Sequence, residues 1–92
     1  MLHSARPLRL ERTPLPLRVI STIPNGPPAQ FFWRDQDYRV ACCRGPERIE
    51  TGWWREREAK RDYYRVETES GQQFWIFRCF LTRQWFLQGV FE

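Results

Sequence analysis

From Tyr63 to Phe91 the chain is written as three β-prone stretches with a reversal signal between neighbours, and no other feature narrows its fold so far. Tyr63 to Thr68 reads as a strand with Tyr64, Val66 and Thr68 on one face and Tyr63, Arg65 and Glu67 on the other. Ser70-Gly71 supplies a hairpin turn. Gln73 to Phe80 is nearly continuous in apolar character, as expected of a strand covered on both faces. Thr82-Arg83-Gln84 marks a second reversal, and Trp85 to Phe91 completes a meander. Gly89 inside that last stretch signals a bulge or a close backbone approach. The alternation predicts a core of Tyr64, Val66, Phe74, Ile76, Trp85 and Leu87; a one-residue bulge would exchange it for Tyr63, Trp75 and Phe86.

Upstream, Gln30–Trp33 and Tyr38–Cys42 flank a polar break at Asp35-Gln36-Asp37, a hairpin pattern expected to pack against the meander. Arg44-Gly45-Pro46 reads as a further break, with Glu47-Arg48-Ile49-Glu50 as one more short strand. Residues 53–61 have the only helical composition, too short for a helix that stands alone; one helical turn and a charged solvent-facing loop both fit. Residues 1–29 form an extended Pro-rich lead-in, because Pro7, Pro14, Pro16, Pro24, Pro27 and Pro28 work against a long helix. Leu15, Leu17, Val19 and Ile23 give this lead-in apolar anchors suited to an edge strand, and Asn25-Gly26-Pro27-Pro28 is a loop. The expected architecture is mainly β: a small antiparallel sheet or partly open barrel built from hairpins over 30–92, with at most one short helix.

A chain of 92 residues makes one modest domain, and its small core must be dense in large side chains. Five Trp, three Tyr and seven Phe meet that need. No apolar run is long enough to cross a membrane and none resembles a secretory signal, so a cytoplasmic location is the default expectation. Cys42, Cys43 and Cys79 are odd in number, two of them adjacent, which makes a poor disulfide framework and fits a reducing compartment. They lack zinc-ligand spacing and read as small core hydrophobes. The single histidine, His3, lies near the terminus, and Asp35 and Asp37 fall in the expected turn, so no catalytic residue is assigned. With no phosphate-cradling glycine loop, no cofactor is expected either.

What remains is surface recognition. The formal charge is +4, and fourteen of the fifteen cations are arginines, which suit both phosphates and protein interfaces. Trp53-Trp54 followed by Arg55 and Arg57 makes an aromatic–basic platform, unless one tryptophan plugs the open end of the sheet. Glu56 and Glu58 cancel much of the local field. Tyr63 with Arg65 is divided in the same way between a surface patch and a packed second face. With Arg48, these are the candidate binding residues, and composition alone does not separate a protein hot spot from a nucleic-acid site. Trp54→Ala is expected to weaken partner binding while leaving the domain folded.

Gly45-Pro46-Glu47-Arg48-Ile49, Gly52-Trp53-Trp54-Arg55 and Arg61-Asp62-Tyr63-Tyr64-Arg65-Val66-Glu67, continued by Phe74-Trp75-Ile76-Phe77-Arg78 and Trp85-Phe86-Leu87-Gln88-Gly89-Val90-Phe91, resemble the C-terminal region of ImuB-like proteins. These are bacterial DNA-repair proteins related to the Y-family translesion polymerases. The lead-in fits through Arg6-Pro7-Leu8-Arg9-Leu10 and Gly26-Pro27-Pro28, so the resemblance covers nearly the whole chain. It implies a non-catalytic adaptor role in damage-induced (SOS) translesion synthesis. The partners it implies are a RecA-related accessory protein and a DnaE-type error-prone polymerase; direct DNA contact is the alternative, and the isolated domain is expected to be a monomer. The chain departs from the family pattern at Gln88, where relatives often carry His, and shows no clamp-binding motif.

Overall fold

The computed structural model describes residues 8–51 and 59–91, and all its regular structure is β-strand. Six strands follow one another: β1 (Leu8–Ser21), β2 (Pro28–Trp33), β3 (Gln36–Thr51), β4 (Ala59–Thr68), β5 (Gln73–Cys79) and β6 (Trp85–Phe91). Each pairs antiparallel with the next, and β1 returns to β6, so the meander closes into a barrel with strand order β1-β2-β3-β4-β5-β6. Closure does not run the full height of the barrel: Leu8–Pro16 of β1 and Val40–Thr51 of β3 each pair with a strand on one side only among the described residues. Residues 59–61, read from composition as helical, belong to β4 and pair with β3 and β5. Residues 53–58 lie outside the described residues.

The two long strands make closure possible by changing partners part-way. In β1, Leu8–Leu17 pair with β6 and Arg18–Ser21 with β2. In β3, Gln36–Arg39 pair with β2 and Val40–Thr51 with β4. The prolines of the first segment sit where a strand tolerates them. Pro14 falls in the register shift between Leu10 and Leu15, Pro16 where β1 has a neighbour on one side only, and Pro28 at the first position of β2.

Two expected breaks prove to be something else. The β2–β3 reversal is a two-residue turn at Arg34 and Asp35, with φ of 52° and 60°, and Gln36 and Asp37 already belong to β3. Two positive φ values give the twist that a two-residue hairpin needs, which is why the turn is tighter than the polar run suggested. Arg44-Gly45-Pro46 does not end a strand but bulges within β3, where the register slips between Arg44 and Glu47. Gly45 has φ +130°, and a Cβ there would lie 2.6 Å from the Tyr63 carbonyl oxygen, so β3 passes β4 at that point only without a side chain.

The barrel interior holds Leu17, Phe31, Tyr38, Tyr64, Val66, Phe74, Ile76, Trp85 and Leu87. All six residues of the expected core are among them. Phe74 sits at the centre of a ring cluster: Phe31, Tyr38 and Trp33 lie 5.1, 5.3 and 5.4 Å from it, all at steep interplanar angles. This contact joins the 30–42 hairpin to the meander. The bulge signalled by Gly89 is real. Trp75 faces Gly89 but Ile76 faces Leu87, so Gln88 is the extra residue and the parity of β6 inverts after it. A Cβ on Gly89 would meet Leu8 Cδ1 at 2.8 Å and the Arg9 carbonyl oxygen at 2.9 Å, so the glycine also lets β1 close on β6.

The up-and-down course places the β1–β2 loop and the β5–β6 turn at one end of the barrel, beside the start of β4. Both Arg78 and Arg83 reach Asn25, and the Phe80 amide donates to the Lys60 carbonyl. The turns after β2 and β4 lie at the other end, joined by the Glu69 amide donating to the Arg39 carbonyl.

Candidate interaction surface

An antiparallel barrel filled by alternate residues has no need of further aromatics on its outside, yet β4, β5 and β6 carry them there. Tyr63, Trp75, Phe77, Phe86 and Phe91 lie on the face opposite the core and form a second layer, in which Tyr63 and Phe77 are buried and Trp75, Phe86 and Phe91 half-buried. Tyr63 lies 4.8 Å from Trp75 and 5.1 Å from Phe77, and Phe77 stacks on Phe86 at 5.2 Å. Arginines cover the rings rather than other strands: the Arg61 guanidinium lies 4.5 Å over Phe77 and that of Arg65 4.0 Å over Phe91. Arg61 donates to the Tyr63 hydroxyl at 3.1 Å, and that hydroxyl donates to Gln88 Oε1 at 3.3 Å. The bulge residue thus orients Tyr63.

Beside this layer the β3 bulge opens a groove of about 430 Å³, with Tyr63, Trp75 and Phe91 below and Arg44, Glu47 and Arg65 around it. Arg44 and Arg65 are direct cross-strand neighbours. Like charges in that position repel, so an acidic group entering between them is favoured. Gln73, fully buried, accepts from Arg65 and donates to Glu67, each at 3.4 Å. An apolar floor under guanidinium walls suits a protruding aromatic or aliphatic side chain flanked by a carboxylate.

The barrel end near Phe80 is closed from inside by charge. Asp62 is 1% exposed and accepts from Arg48 at 2.8 and 3.2 Å and from Arg78 at 3.3 Å. Hydrogen bonding from Arg48 outweighs the opposing effect of burial and, helped by Arg78, holds the Asp62 carboxyl below its ordinary range. Arg78 in turn lies 5.7 Å over the Trp85 ring, so the ion cluster rests directly on the apolar core.

The candidates named from sequence therefore divide. Tyr63 and Arg65 share the outer face, whereas Arg48 belongs to the ion cluster and lies 4.8 Å over Phe80. Trp53, Trp54, Arg55 and Arg57 lie outside the described residues, and with them the substitution of Trp54. Trp75, Phe77, Phe86 and Arg61 were not named as binding residues, although Trp75 and Phe86 were grouped with Tyr63 on the face opposite the expected core. Their parity with Tyr63 was available once Ser70-Gly71 fixed the hairpin, but Phe91 joins them only through the bulge at Gln88.

The cysteines differ among themselves. Cys43 packs against the core, and burial, followed by the neighbouring Cys42, raises its thiol to about 11. At Cys79, burial acts upward, but hydrogen bonds from the Thr82 hydroxyl and the Thr82 and Leu81 backbone prevail and lower it. Since the thiolate is the reactive form, Cys79 is expected to react with a disulfide reagent at pH 7.5 at least tenfold faster than Cys43. Peptide mapping after timed quenching reads this directly, and equal rates would contradict the environments described. Among the described residues no three His, Cys, Asp or Glu side chains gather as a metal site requires, and no helix is long and apolar enough to cross a membrane.

Comparison with known proteins adds identity to this geometry. The chain is 40% identical over 100 aligned residues to "Protein ImuB" of Caulobacter vibrioides, in strain NA1000 / CB15N and equally in strain ATCC 19089 / CIP 103742 / CB 15. The match takes in 94% of this chain but only 22% of the relative, in its C-terminal region. No solved structure matches the chain. Residues 15–90, from within β1 to within β6, match the family model described as a domain of unknown function, and the chain belongs to this family, DUF6504.

Proposed function

We propose that this barrel is a non-catalytic protein-interaction module of a bacterial translesion-synthesis complex, acting in the cytoplasm. Its partner on this reading is a RecA-related accessory protein or a DnaE-type error-prone polymerase. The observation that carries the reading is the outer aromatic–arginine layer on β4–β6, laid over a barrel whose interior is already filled. Aromatic rings and arginines are the residues that dominate binding energy at protein interfaces, and a groove beside them gives the partner an anchor point. The likeness to Protein ImuB supplies the biological setting.

Trp75→Ala is the discriminating variant, because Trp75 is half-buried on the outer face and lies outside the core cluster. It is expected to weaken partner binding about 30-fold, the equivalent of ~2 kcal/mol at an interface hot spot. Arg44→Ala, at an exposed position on the groove wall, is expected to weaken it about fivefold. Calorimetric titration of each variant with the accessory protein and with the polymerase, alongside a thermal melt, makes the test. A folded Trp75→Ala domain that binds both proteins as the parent does, or a parent that binds neither, would sink the proposal.

A further inference from the structure

At the loop end, away from the aromatic–arginine face, the β1–β2 loop and the β5–β6 turn enclose a smaller cleft of about 180 Å³ lined by Asn25, Arg78, Phe80 and Arg83. Arg78 Nη1 lies 3.4 Å and Arg83 Nη1 3.2 Å from the same atom, Asn25 Oδ1. Two cations from different elements thus converge on one uncharged oxygen. A guanidinium bonds an anionic acceptor about twice as strongly as a neutral one, so the position held by the amide oxygen favours an oxyanion. Asp62, held inside the barrel end, pairs with Arg78 through Nη2, while Nη1 of the same guanidinium and Arg83 are directed at the cleft. The cleft at the opposite end, lined by Asp37, Arg39 and Glu69, has the reverse balance of charge.

Apolar surface adjoins the two guanidiniums. Phe80 is 44%, Leu81 69% and Ile23 59% exposed. The Phe80 ring carries Arg48 at 4.8 Å and Lys60 at 5.9 Å, which adds positive charge around it. Two guanidiniums closing from separate strands and turns suit a tetrahedral group with several free oxygens. An exposed ring at the mouth suits a flat base, and only an unpaired base is free to stack on it.

We propose that this cleft binds a backbone phosphate of single-stranded nucleic acid, Arg83 and Arg78 taking the oxyanion and Phe80 stacking the adjoining base. The site is separate from the outer face, so it stands or falls independently of the protein partner.

Fluorescence anisotropy with a fluorescein-labelled twelve-nucleotide oligo-dT and the full chain tests it. One neutralised phosphate implies that affinity falls about 2.6-fold between 50 and 200 mM salt. Arg83→Gln is expected to weaken binding about fivefold, and Phe80→Ala about tenfold through lost stacking. Asn25→Asp is the sharper variant. Asp tolerates the φ of 59° as Asn does and sets a carboxylate between the guanidiniums, so it should abolish binding while melting no lower than the parent. Arg39→Ala at the opposite end removes one like charge and should change affinity less than twofold, as should Trp75→Ala on the outer face. Equal losses at Arg39 and Arg83 would overturn the proposal in favour of diffuse attraction. So would an Asn25→Asp domain that binds oligo-dT as the parent does. Capture of a labelled glutamate-rich peptide in place of the oligonucleotide, with the same dependence on Arg83 and Asn25, would overturn it in favour of an acidic protein segment.

Discussion

Phe74→Ala is expected to remove about 3–5 kcal/mol of folding free energy, the range for truncating a fully buried phenylalanine. Phe74 is fully buried, and its ring is the one that Phe31, Trp33 and Tyr38 share. Those three belong to the β2–β3 hairpin, while Phe74 belongs to the meander, so the substitution cuts the contact between the two parts of the barrel as well as leaving a void. A domain of this length holds roughly 5–14 kcal/mol at about 0.05–0.15 kcal/mol per residue, so the loss is a large part of the whole. Urea titration followed by tryptophan fluorescence and by circular dichroism measures it. Phe80→Ala in the same titration is expected to cost under about 1 kcal/mol, because that residue is 44% exposed and lies outside the core cluster. A loss at Phe74 no larger than that at Phe80 would mean that the hairpin does not close on the meander as described.

The meander and its inward face were legible because they depend on local alternation. Tyr64, Val66, Phe74, Ile76, Trp85 and Leu87 follow from a period of two and from turns marked by Ser70-Gly71 and Thr82-Arg83-Gln84. Closure was not legible, because it rests on β1 and β3 changing partners between neighbours far apart in sequence. Arg44-Gly45-Pro46 carried every mark of a break and is a bulge, since only the passing backbone of Tyr63 shows why a glycine is required. The β2–β3 turn was placed late because Arg34 has no turn preference that competes with the polar run beyond it. At the candidate surface the residue types were readable and the grouping was not. Arg48 looks like Arg65 in sequence, but inward parity at the barrel end gives it to Asp62.

Asp62→Asn should be the other costly substitution, at about 2–3 kcal/mol. The carboxylate receives three hydrogen bonds from two guanidiniums, and asparagine offers one acceptor oxygen and turns an N–H toward the second cation. Arg78, 13% exposed in its side chain, then loses its counter-charge close to Trp85. Arg48 keeps the cost below the top of the buried-pair range, because its side chain is 49% exposed and water takes up part of its charge. The pH dependence identifies the cause. Folding lowers the Asp62 carboxyl below its ordinary range, chiefly through hydrogen bonding from Arg48. The folded protein therefore holds its proton less tightly than the unfolded chain does. The carboxylate's contribution is complete above pH ~4, the ordinary carboxylate range, and is lost as pH falls through the lower folded value. Urea midpoints of parent and Asp62→Asn should accordingly stand well apart at pH 7 and draw together as pH falls below ~4, with the variant showing the flatter acid limb. A gap that persists undiminished in acid would assign the loss to packing around residue 62 rather than to its charge.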